Sequence, residues 1–263
     1  MITIDRELLS TANIQIIDLS YAAGETIYER GALAQFVYAV EEGALFRFRL
    51  LPGCRRSIQQ FLFASDGFGY EIGRHHRDTV QALTDTKVLA AGREALLRAA
   101  ASNALLSNLL FSAAASAVLV AEKNADIRCV GTVTEKIAQF LLEMEVRLSK
   151  RGEIDLPMRR HHIADYFGLT LETVSRTFSA LHNKKIIQFR DQRQRRIVIC
   201  DKPRLQKLAS DASVFEESIV LSKGYEHPEG GSHRQWARPL QPSRRLTANA
   251  TAAGLKNSPQ MRP

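Results

Sequence analysis

Three polar residues whose side chains can bind base edges, Glu172, Ser175 and Arg176, are spaced i, i+3 and i+4. On a helix this spacing brings them onto adjacent turns. Arginine presents a planar fork that matches guanine O6 and N7, glutamate accepts a hydrogen bond from the cytosine amino group, and serine bonds to either kind of edge. The trio therefore predicts readout of double-stranded DNA in the major groove.

The ordinary alternative for Glu172 and Arg176 is an ion pair on a solvent-exposed helix, worth about 0.2 to 0.5 kcal/mol. Taken alone, the two residues favour that ion pair. Their surroundings favour base reading, because the segment follows a glycine turn and precedes a basic hairpin.

A helix-turn-helix is predicted to position these residues. Pro157 is placed to begin a first helix, Gly168 permits a sharp turn after it, and Thr170 caps a second helix. At about 100° per residue, the apolar side chains of the second helix fall within an arc of about 80°. They are Leu171, Val174, Phe178 and Leu181. Glu172 and Arg176 point roughly the opposite way, so one face is core and the other is free to bind.

A basic β-hairpin is predicted after the second helix. Two β-branched runs, 186–189 and 197–200, flank a polar turn at 190–196 that contains four arginines. This pattern is typical of a wing whose cations bind phosphate and add affinity without sequence information. The residues that we expect to contact phosphate are Arg159, Arg160, Thr170, Thr173, Lys184, Arg193 and Arg195.

The charge of the chain is concentrated in the segment that contains these elements. The 263 residues have a net charge of +8; residues 1–128 have a net charge of −1, whereas residues 129–211 have +6. A near-neutral front half followed by a basic segment is expected where only one domain binds phosphate. Charge alone also fits an ordinary solvated face.

Residues 18–88 predict an antiparallel β domain, a small barrel or roll, because glycines recur between short alternating or apolar runs. The predicted fold class is α+β. Its parts are a β-roll domain at 1–101, a long helix at 102–128, a winged helix-turn-helix at 129–211 and a disordered basic tail at 212–263. The tail has too little apolar surface to offset the entropy of ordering.

The helix predicted at 102–128 lacks proline and glycine and is about 25 residues, or roughly 38 Å, long. Apolar residues recur along it with heptad spacing, and the small ones among them let a second helix approach. We therefore expect the seam of a homodimer at Leu106, Leu109, Ala113, Val120 and Ile127. The alternative is a helix that packs only on its own β domain, since a partly buried helix has the same period.

Several functional classes are not expected. The sequence has no Ser-His-Asp elbow, Walker loop or paired-carboxylate motif, which argues against an enzyme. It has no apolar run long enough to cross a bilayer and no signal-peptide pattern, so we expect a cytoplasmic protein without a membrane partner. The pairs at 75–76 and 161–162 are histidines and raise a metal or haem hypothesis. Neither pair has a second ligand cluster at a known spacing, and we expect no metal and no cofactor.

The run from Gly168 to Arg176 resembles the recognition helix of the Crp/Fnr transcription regulators. Glu172, Ser175 and Arg176 match the E-x-x-S-R pattern of the Fnr and FixK branches. Leu171, directly before the glutamate, is similar to FixK proteins in particular and joins the expected base-reading residues. The resemblance covers roughly residues 14–211. It implies a cyclic-nucleotide-binding-like β-roll and a homodimer that binds an inverted repeat of TTGAT-like half-sites. It also implies contact with RNA polymerase, usually as an activator.

Two departures from the family pattern bear on the β-roll. Oxygen-sensing Fnr proteins hold an iron-sulfur cluster with closely spaced N-terminal cysteines, but no cysteine precedes Cys54 here. In cAMP-binding members a Gly-Glu-Leu run holds the ribose and an Arg-Ser or Arg-Thr pair holds the phosphate. Here Gly69 is followed by Tyr70, and Arg77 is followed by Asp78, so nucleotide binding is expected to be lost. Two hypotheses remain: a FixK-like factor controlled by its own abundance, and a β-roll that senses a ligand or haem and gates DNA binding.

Overall fold

The structure of the protein, a computed structural model, describes residues 14–71, 73–129 and 131–210. The predicted tail at 212–263 lies outside the described residues. Within the described ranges, the predicted α+β fold is confirmed: a β-roll, a long helix and a winged helix-turn-helix follow one another along the chain.

The β-roll consists of two four-stranded antiparallel sheets. Its strands are β1 (Ile16–Tyr21), β2 (Thr26–Tyr28), β3 (Phe36–Glu42), β4 (Ala44–Leu50), β5 (Arg56–Phe63), β6 (Gly67–Phe68), β7 (Thr79–Ala82) and β8 (Thr86–Gly92). The first sheet has the order β1-β8-β3-β6 and the second the order β2-β7-β4-β5. Tyr38 and Val88 of the first sheet pack on Leu45 and Leu62 of the second, so one apolar core lies between the sheets.

The second sheet is apolar on both faces. Leu45 points into the core between the sheets, whereas Phe46 and Phe48 of the same strand point to the outer face. Because successive strand side chains alternate in direction, the consecutive apolar residues at the start of β4 require cover on both sides. The rest of the chain supplies that cover.

Six α-helices, a short 3-10 helix (Pro52–Cys54) and a third, small sheet complete the described part of the chain. The helices are α1 (Arg93–Ser102), α2 (Ala104–Cys129), α3 (Val133–Leu148), α4 (Arg160–Phe167), α5 (Leu171–Asn183) and α6 (Lys202–Ser210). The small sheet contains β9 (Ser149–Lys150), β10 (Glu153–Asp155), β11 (Ile187–Phe189) and β12 (Arg196–Ile199). Its order, β11-β12-β10-β9, places the predicted wing hairpin beside the strand that leads into α4.

The long helix α2 packs on its own chain through the stripe that was predicted to be a dimer seam. Leu106, Ala113 and Ile127 are buried, with Leu106 in the cluster that covers the first sheet and Ile127 in the cluster that covers the second. Leu109 and Val120 lie on the same side and are partly exposed. These three side chains are buried within one chain and leave almost no surface for a partner, and the seam predicted at them stays a prediction.

The opposite side of α2 is also apolar, and it is exposed. Leu105, Phe111, Val118 and Leu119 are 57 to 76% exposed. At about 100° per residue they fall within an arc of about 140°, away from the buried stripe. The helix thus has two apolar faces, and one chain covers only one of them.

Residues Ala104–Glu122 are long and apolar enough, by length and composition, to cross a membrane. This finding corrects the expectation that no segment of the chain has these properties. A helix that is apolar all round also arises where one face packs on its own domain and the other is covered by a second chain.

A single apolar core joins the β-roll to the C-terminal helices. Phe46 and Phe61 of the second sheet share a buried cluster with Phe140 of α3 and with Tyr166 and Phe167 of α4. The Phe61 ring centroid lies 5.3 Å from that of Tyr166 and 6.2 Å from that of Phe140. The helix-turn-helix is therefore packed directly on the β-roll.

Polar groups at this junction are paired with one another. The Tyr166 hydroxyl donates to Asn124 Oδ1 at 2.9 Å, and Asn124 Nδ2 donates to the backbone carbonyl of Gln59 at 3.3 Å. Arg147 of α3 forms an ion pair with Asp66, a buried residue that follows β5 in the chain. Each contact joins a residue of the β-roll to a helix or joins two helices, so together they specify one arrangement of the parts.

We predict that Phe61→Ala destabilises the whole described chain by about 3 to 5 kcal/mol, the usual cost of deleting a buried aromatic ring. Urea unfolding followed by circular dichroism measures the change. The matched control is Leu50→Ala, an exposed residue of the same sheet, which should change the free energy of unfolding by less than about 0.5 kcal/mol. Two separate transitions in Phe61→Ala, with the helical one unshifted, would contradict a shared core.

Candidate nucleic-acid interface

The helix α5 begins at a turn and a cap that the sequence predicted. Gly168 has a φ of 68°, a left-handed conformation in which glycine has no steric penalty. Thr170 is the N-cap, and its Oγ1 accepts from the Thr173 backbone N–H at 3.1 Å. The two threonine hydroxyls lie 2.8 Å apart. Thr170 is exposed and Thr173 is half-buried, so these predicted phosphate contacts first serve to cap the helix.

One face of α5 is core and the other is exposed. Val174, Phe178 and Leu181 are at most 1% exposed. On the opposite side, Arg176 Nη2 lies 2.5 Å from Glu172 Oε1, and both side chains are at least 70% exposed. An ion pair with this exposure contributes little to stability, and its energy does not prevent either group from binding a partner.

The other two residues predicted to read bases lie at the borders of this exposed face. Ser175 is half-buried. Leu171 is 51% exposed, although the sequence pattern placed it with the apolar residues, because it is the first residue of the helix and projects beyond the packing surface of α4. A large apolar side chain that is exposed beside Glu172 suits contact with a thymine methyl group.

The wing is the hairpin of β11 and β12. Arg190, Arg193 and Arg196 are exposed on it. An open groove of about 590 Å³ lies along the turn and is lined by Asp155, Arg190, Asp191, Gln192, Arg193, Arg195 and Arg196. The Asp191 side chain accepts from the backbone N–H groups of Arg195 and Arg196 at 2.8 Å and so closes the turn.

Two of the arginines predicted to contact phosphate are bound inside the domain. Arg195 donates from Nε to the carbonyl of Leu156 and from Nη2 to that of Pro157, at 2.8 and 3.0 Å. Arg160 lies over the Phe178 ring, with its guanidinium carbon 3.4 Å from the ring centroid. Phosphate binding by these two stays a prediction, although several of their donors are used within the domain.

The remaining cations predicted to contact phosphate are exposed. They are Arg159, which precedes α4, Lys184, which follows α5, and Arg193 in the wing turn. These positions flank the exposed face of α5 along the chain. The arrangement can hold a duplex by its backbone while α5 presents hydrogen-bonding groups to the base edges.

His162 holds the first turn of α4, a role that the sequence reasoning missed. Its Nδ1 accepts from the Arg159 backbone N–H at 3.2 Å, and its ring lies 5.2 Å from Phe46. Burial, and to a lesser extent the neighbouring His161 and Arg56, lowers the pKa of His162 to about 4. A neutral ring is the form that can accept. The signal was its place in the first helical turn, where an acceptor often binds back to the preceding backbone.

Comparison with families of known proteins matches both parts of the chain. Residues 135–208 match the Crp-like helix-turn-helix domain, and residues 18–103 match the cyclic nucleotide-binding domain. The first match covers the capped helix, the glycine turn and the wing.

Two nitrogen fixation regulation proteins, both called FixK, are among the relatives. The protein of Rhizobium meliloti is 33% identical over 66% of this chain and 79% of its own length. That of Bradyrhizobium diazoefficiens is 37% identical over 61% of this chain and 70% of its own. The solved structure of FixK2 from Bradyrhizobium japonicum has a TM-score of 0.71 and 38% identity, covering 74% of this chain and 97% of that one.

The residues of the β-roll do not fit a cyclic nucleotide. Asp78 is buried, and its carboxylate binds Arg49 Nε at 2.5 Å and lies 3.6 Å from Arg47 Nε. A phosphate there would meet a buried carboxylate and two arginines that are already paired. The Tyr70 ring packs into the cluster with Leu96 instead of offering a carboxylate to a ribose.

No group of three or more histidine, cysteine, aspartate or glutamate side chains that could hold a metal ion occurs in the ranges that the structure describes. The side chain of His76, from the first histidine pair, is buried and stacked on Tyr28 at 3.5 Å between ring centroids. In the second pair, the rings of His161 and His162 lie 3.9 Å apart.

We predict that acid destabilises the fold through His162. The unfolded chain binds a proton at this residue near pH 6.5, whereas the folded chain does so only near pH 4. The unfolded state therefore holds more protons in that window. The stability present above pH 6.5 should be lost as the pH falls towards 4.

The variant His162→Gln keeps an acceptor and removes the titration, so its urea midpoint should fall less between pH 6.5 and 4. The matched control, His161→Gln at the exposed neighbouring position, should follow the wild type. Identical pH profiles for His162→Gln and wild type would show that this residue is not the acid-sensitive group.

Proposed function

We propose that this chain, which belongs to the Crp/Fnr family of transcription regulators and to its FixK-like branch, binds operator DNA as a homodimer. Its known relatives are transcription regulators and not enzymes. The observation that carries the proposal is the exposed face of α5, where Glu172 and Arg176 are displayed by a helix whose other face is fully buried.

The expected target is an inverted repeat of TTGAT-like half-sites. Arg176 binds guanine O6 and N7, Glu172 accepts from a cytosine amino group, and Ser175 and Leu171 contact neighbouring base edges. The ion pair between Glu172 and Arg176 is exposed and weak, so either side chain can leave it to bind a base edge. Arg159, Lys184 and the wing arginines position the duplex.

The proposed dimer forms through the exposed side of α2. Leu105, Phe111, Val118 and Leu119 project from the chain on that side, and a second copy of the helix covers them without any change to the buried stripe. A helix-turn-helix monomer reads only a few base pairs, and pairing two such domains matches the symmetry of a palindromic site. The dimer stripe therefore lies opposite the one predicted from heptad spacing.

The proposed action is activation through contact with RNA polymerase in the cytoplasm. Relatives include proteins named as transcriptional activators, FnrA of Stutzerimonas stutzeri and AadR of Rhodopseudomonas palustris, both 29% identical. The buried Asp78 and its arginines support a factor that needs no nucleotide. Control is then exerted through its abundance.

The second candidate is a regulator of the same family that a ligand or haem gates, and the match of residues 18–103 to the cyclic nucleotide-binding domain favours it. The discriminating experiment uses the purified full chain. Specific DNA binding without any addition supports the ungated factor. A Soret band, or thermal stabilisation by cAMP, supports the gated one.

We predict that Arg176→Ala lowers specific binding by about 1 to 3 kcal/mol per half-site and relaxes the preference at one guanine, because a bidentate contact carries that discrimination. Gel-shift titration against operators with each base at that position measures both effects. The matched control is Arg98→Ala, which removes another i, i+4 ion pair, with Glu94, from an exposed part of α1. An unchanged preference at every base would remove Arg176 from the base-reading set.

We predict that Phe111→Asp combined with Leu119→Asp makes the protein monomeric, since it places carboxylates opposite each other across a desolvated seam. The variant should keep its helical content and weak non-specific DNA binding but lose specific binding to the full repeat. Light scattering and gel shift measure the two effects.

The control for the seam is Val146→Asp, a change at an exposed apolar residue of α3, which should stay dimeric. A flotation assay with phospholipid vesicles tests the membrane alternative for α2. A wild-type monomer that binds vesicles would overturn the dimer assignment.

A further inference from the structure

Arg160 begins the first helix of the helix-turn-helix, and its half-buried guanidinium packs on aromatic rings of the domain. Its guanidinium carbon lies 3.4 Å from the centroid of the Phe178 ring and 5.7 Å from that of Phe189. Phe178 belongs to the buried face of α5 and is 1% exposed. Phe189 ends the first strand of the wing. One side chain therefore contacts both the recognition helix and the wing.

The same guanidinium holds the tip of the wing. Arg160 Nη2 donates to the backbone carbonyl of Gln194 at 2.8 Å. Gln194 has a φ of 54°, a left-handed conformation that a residue with a Cβ adopts only where its surroundings enforce it. The hydrogen bond from Arg160 therefore reaches the wing turn at the residue whose backbone conformation is least favourable.

The environment of Arg160 differs from that of a phosphate-binding cation on a surface. Burial lowers the pKa of Arg160 to about 10, and the neighbouring Asp191 opposes that change. The group stays charged at neutral pH, but its hydration has been replaced by an aromatic face and a carbonyl. By contrast, the side chain of Arg193, in the wing turn, is exposed.

We propose that Arg160 is a positioning residue that fixes the wing against the recognition helix and does not itself bind phosphate. The inference rests on the proposed DNA binding. Its physical basis is the fork of the guanidinium, which stacks on one ring with its plane and bonds to a carbonyl with its edge. A lysine ammonium is a compact point charge and cannot do both.

The salt dependence of DNA binding separates this role from phosphate contact. Each phosphate that a cation neutralises adds roughly 0.9 to the slope of log K against log salt. Losing a phosphate contact reduces both the affinity and the slope. Losing a positioning contact reduces the affinity for the operator, and any loss of slope comes from the wing arginines, so it is the same whether the replacement of Arg160 keeps the charge or removes it.

The experiment compares Arg160→Lys, Arg160→Ala and Arg193→Ala in the full-length protein on an operator with the inverted repeat. We expect both Arg160 variants to bind on the order of tenfold more weakly and to have the same salt slope as each other. Arg193→Ala should lower the slope by roughly one per lost contact. Full retention of affinity by Arg160→Lys, together with a reduced slope in Arg160→Ala, would identify Arg160 as a phosphate ligand and overturn the proposal.

A second measurement needs no DNA. Amide hydrogen exchange at 190–196 should be faster in both Arg160 variants than in wild type and unchanged in Arg193→Ala, at temperatures below each protein's melting transition. If exchange at 190–196 is unchanged in the Arg160 variants, Arg160 does not order the wing and the proposal is wrong. If the wild type itself binds no operator, the proposed function fails, while hydrogen exchange still decides whether Arg160 orders the wing.

Discussion

The arrangement of the chain depends on one apolar contact, the packing of the outer face of the second β sheet on α3 and α4. Phe46, Ile58 and Phe61 lie in the same buried cluster as Phe140 and Tyr166. Domains joined by a linker usually meet through smaller and more polar surfaces and move relative to each other by default. Here the apolar core is continuous between the β-roll and the C-terminal helices. The helix before the recognition helix, α4, packs directly on the β-roll.

The polar contacts at that junction make the arrangement specific. Asn124 is 5% exposed and has partners on both sides, the Tyr166 hydroxyl and the Gln59 carbonyl. A rotation of the C-terminal helices would break all of these hydrogen bonds at once. Each buried polar group left unpaired then costs about 1 to 3 kcal/mol. Any second arrangement of the domain must therefore supply a complete set of new partners. Small, graded displacements are disfavoured, and a change of state is a discrete repacking.

Local signals allowed the helix-turn-helix to be predicted closely from the sequence. The turn at Gly168, the cap at Thr170 and the buried face of α5 are all determined by residues within a few positions of each other. Heptad spacing on α2 was informative about an apolar face but not about what covers it. The helix has a second apolar side, with Phe111 and Leu119 exposed, and periodicity does not distinguish a domain contact from a partner contact. The choice depends on the β-roll, which is distant in sequence.

The same limit applies to the arginines, because net charge does not say which cations are available to bind phosphate. Residues 129–211 carry +6, and the sequence pattern predicted phosphate contacts for Arg160 and Arg195 as well as for Arg193. In the structure, Arg160 and Arg195 donate to backbone carbonyls, and Arg160 also lies over an aromatic ring, whereas the side chains of Arg176 and Arg193 are exposed. Residue type identifies a cation, but its partner is set by contacts between segments that lie tens of positions apart.

A count of basic residues is therefore an upper bound on the number of phosphates that the domain neutralises. The internal arginines still add to the long-range field that attracts DNA, because burial does not cancel their charge. An arginine whose donors are used within the protein does not release counterions at a phosphate contact of its own. Attraction at a distance and affinity at contact thus depend on different subsets of the same basic residues, and only the second subset requires an exposed side chain.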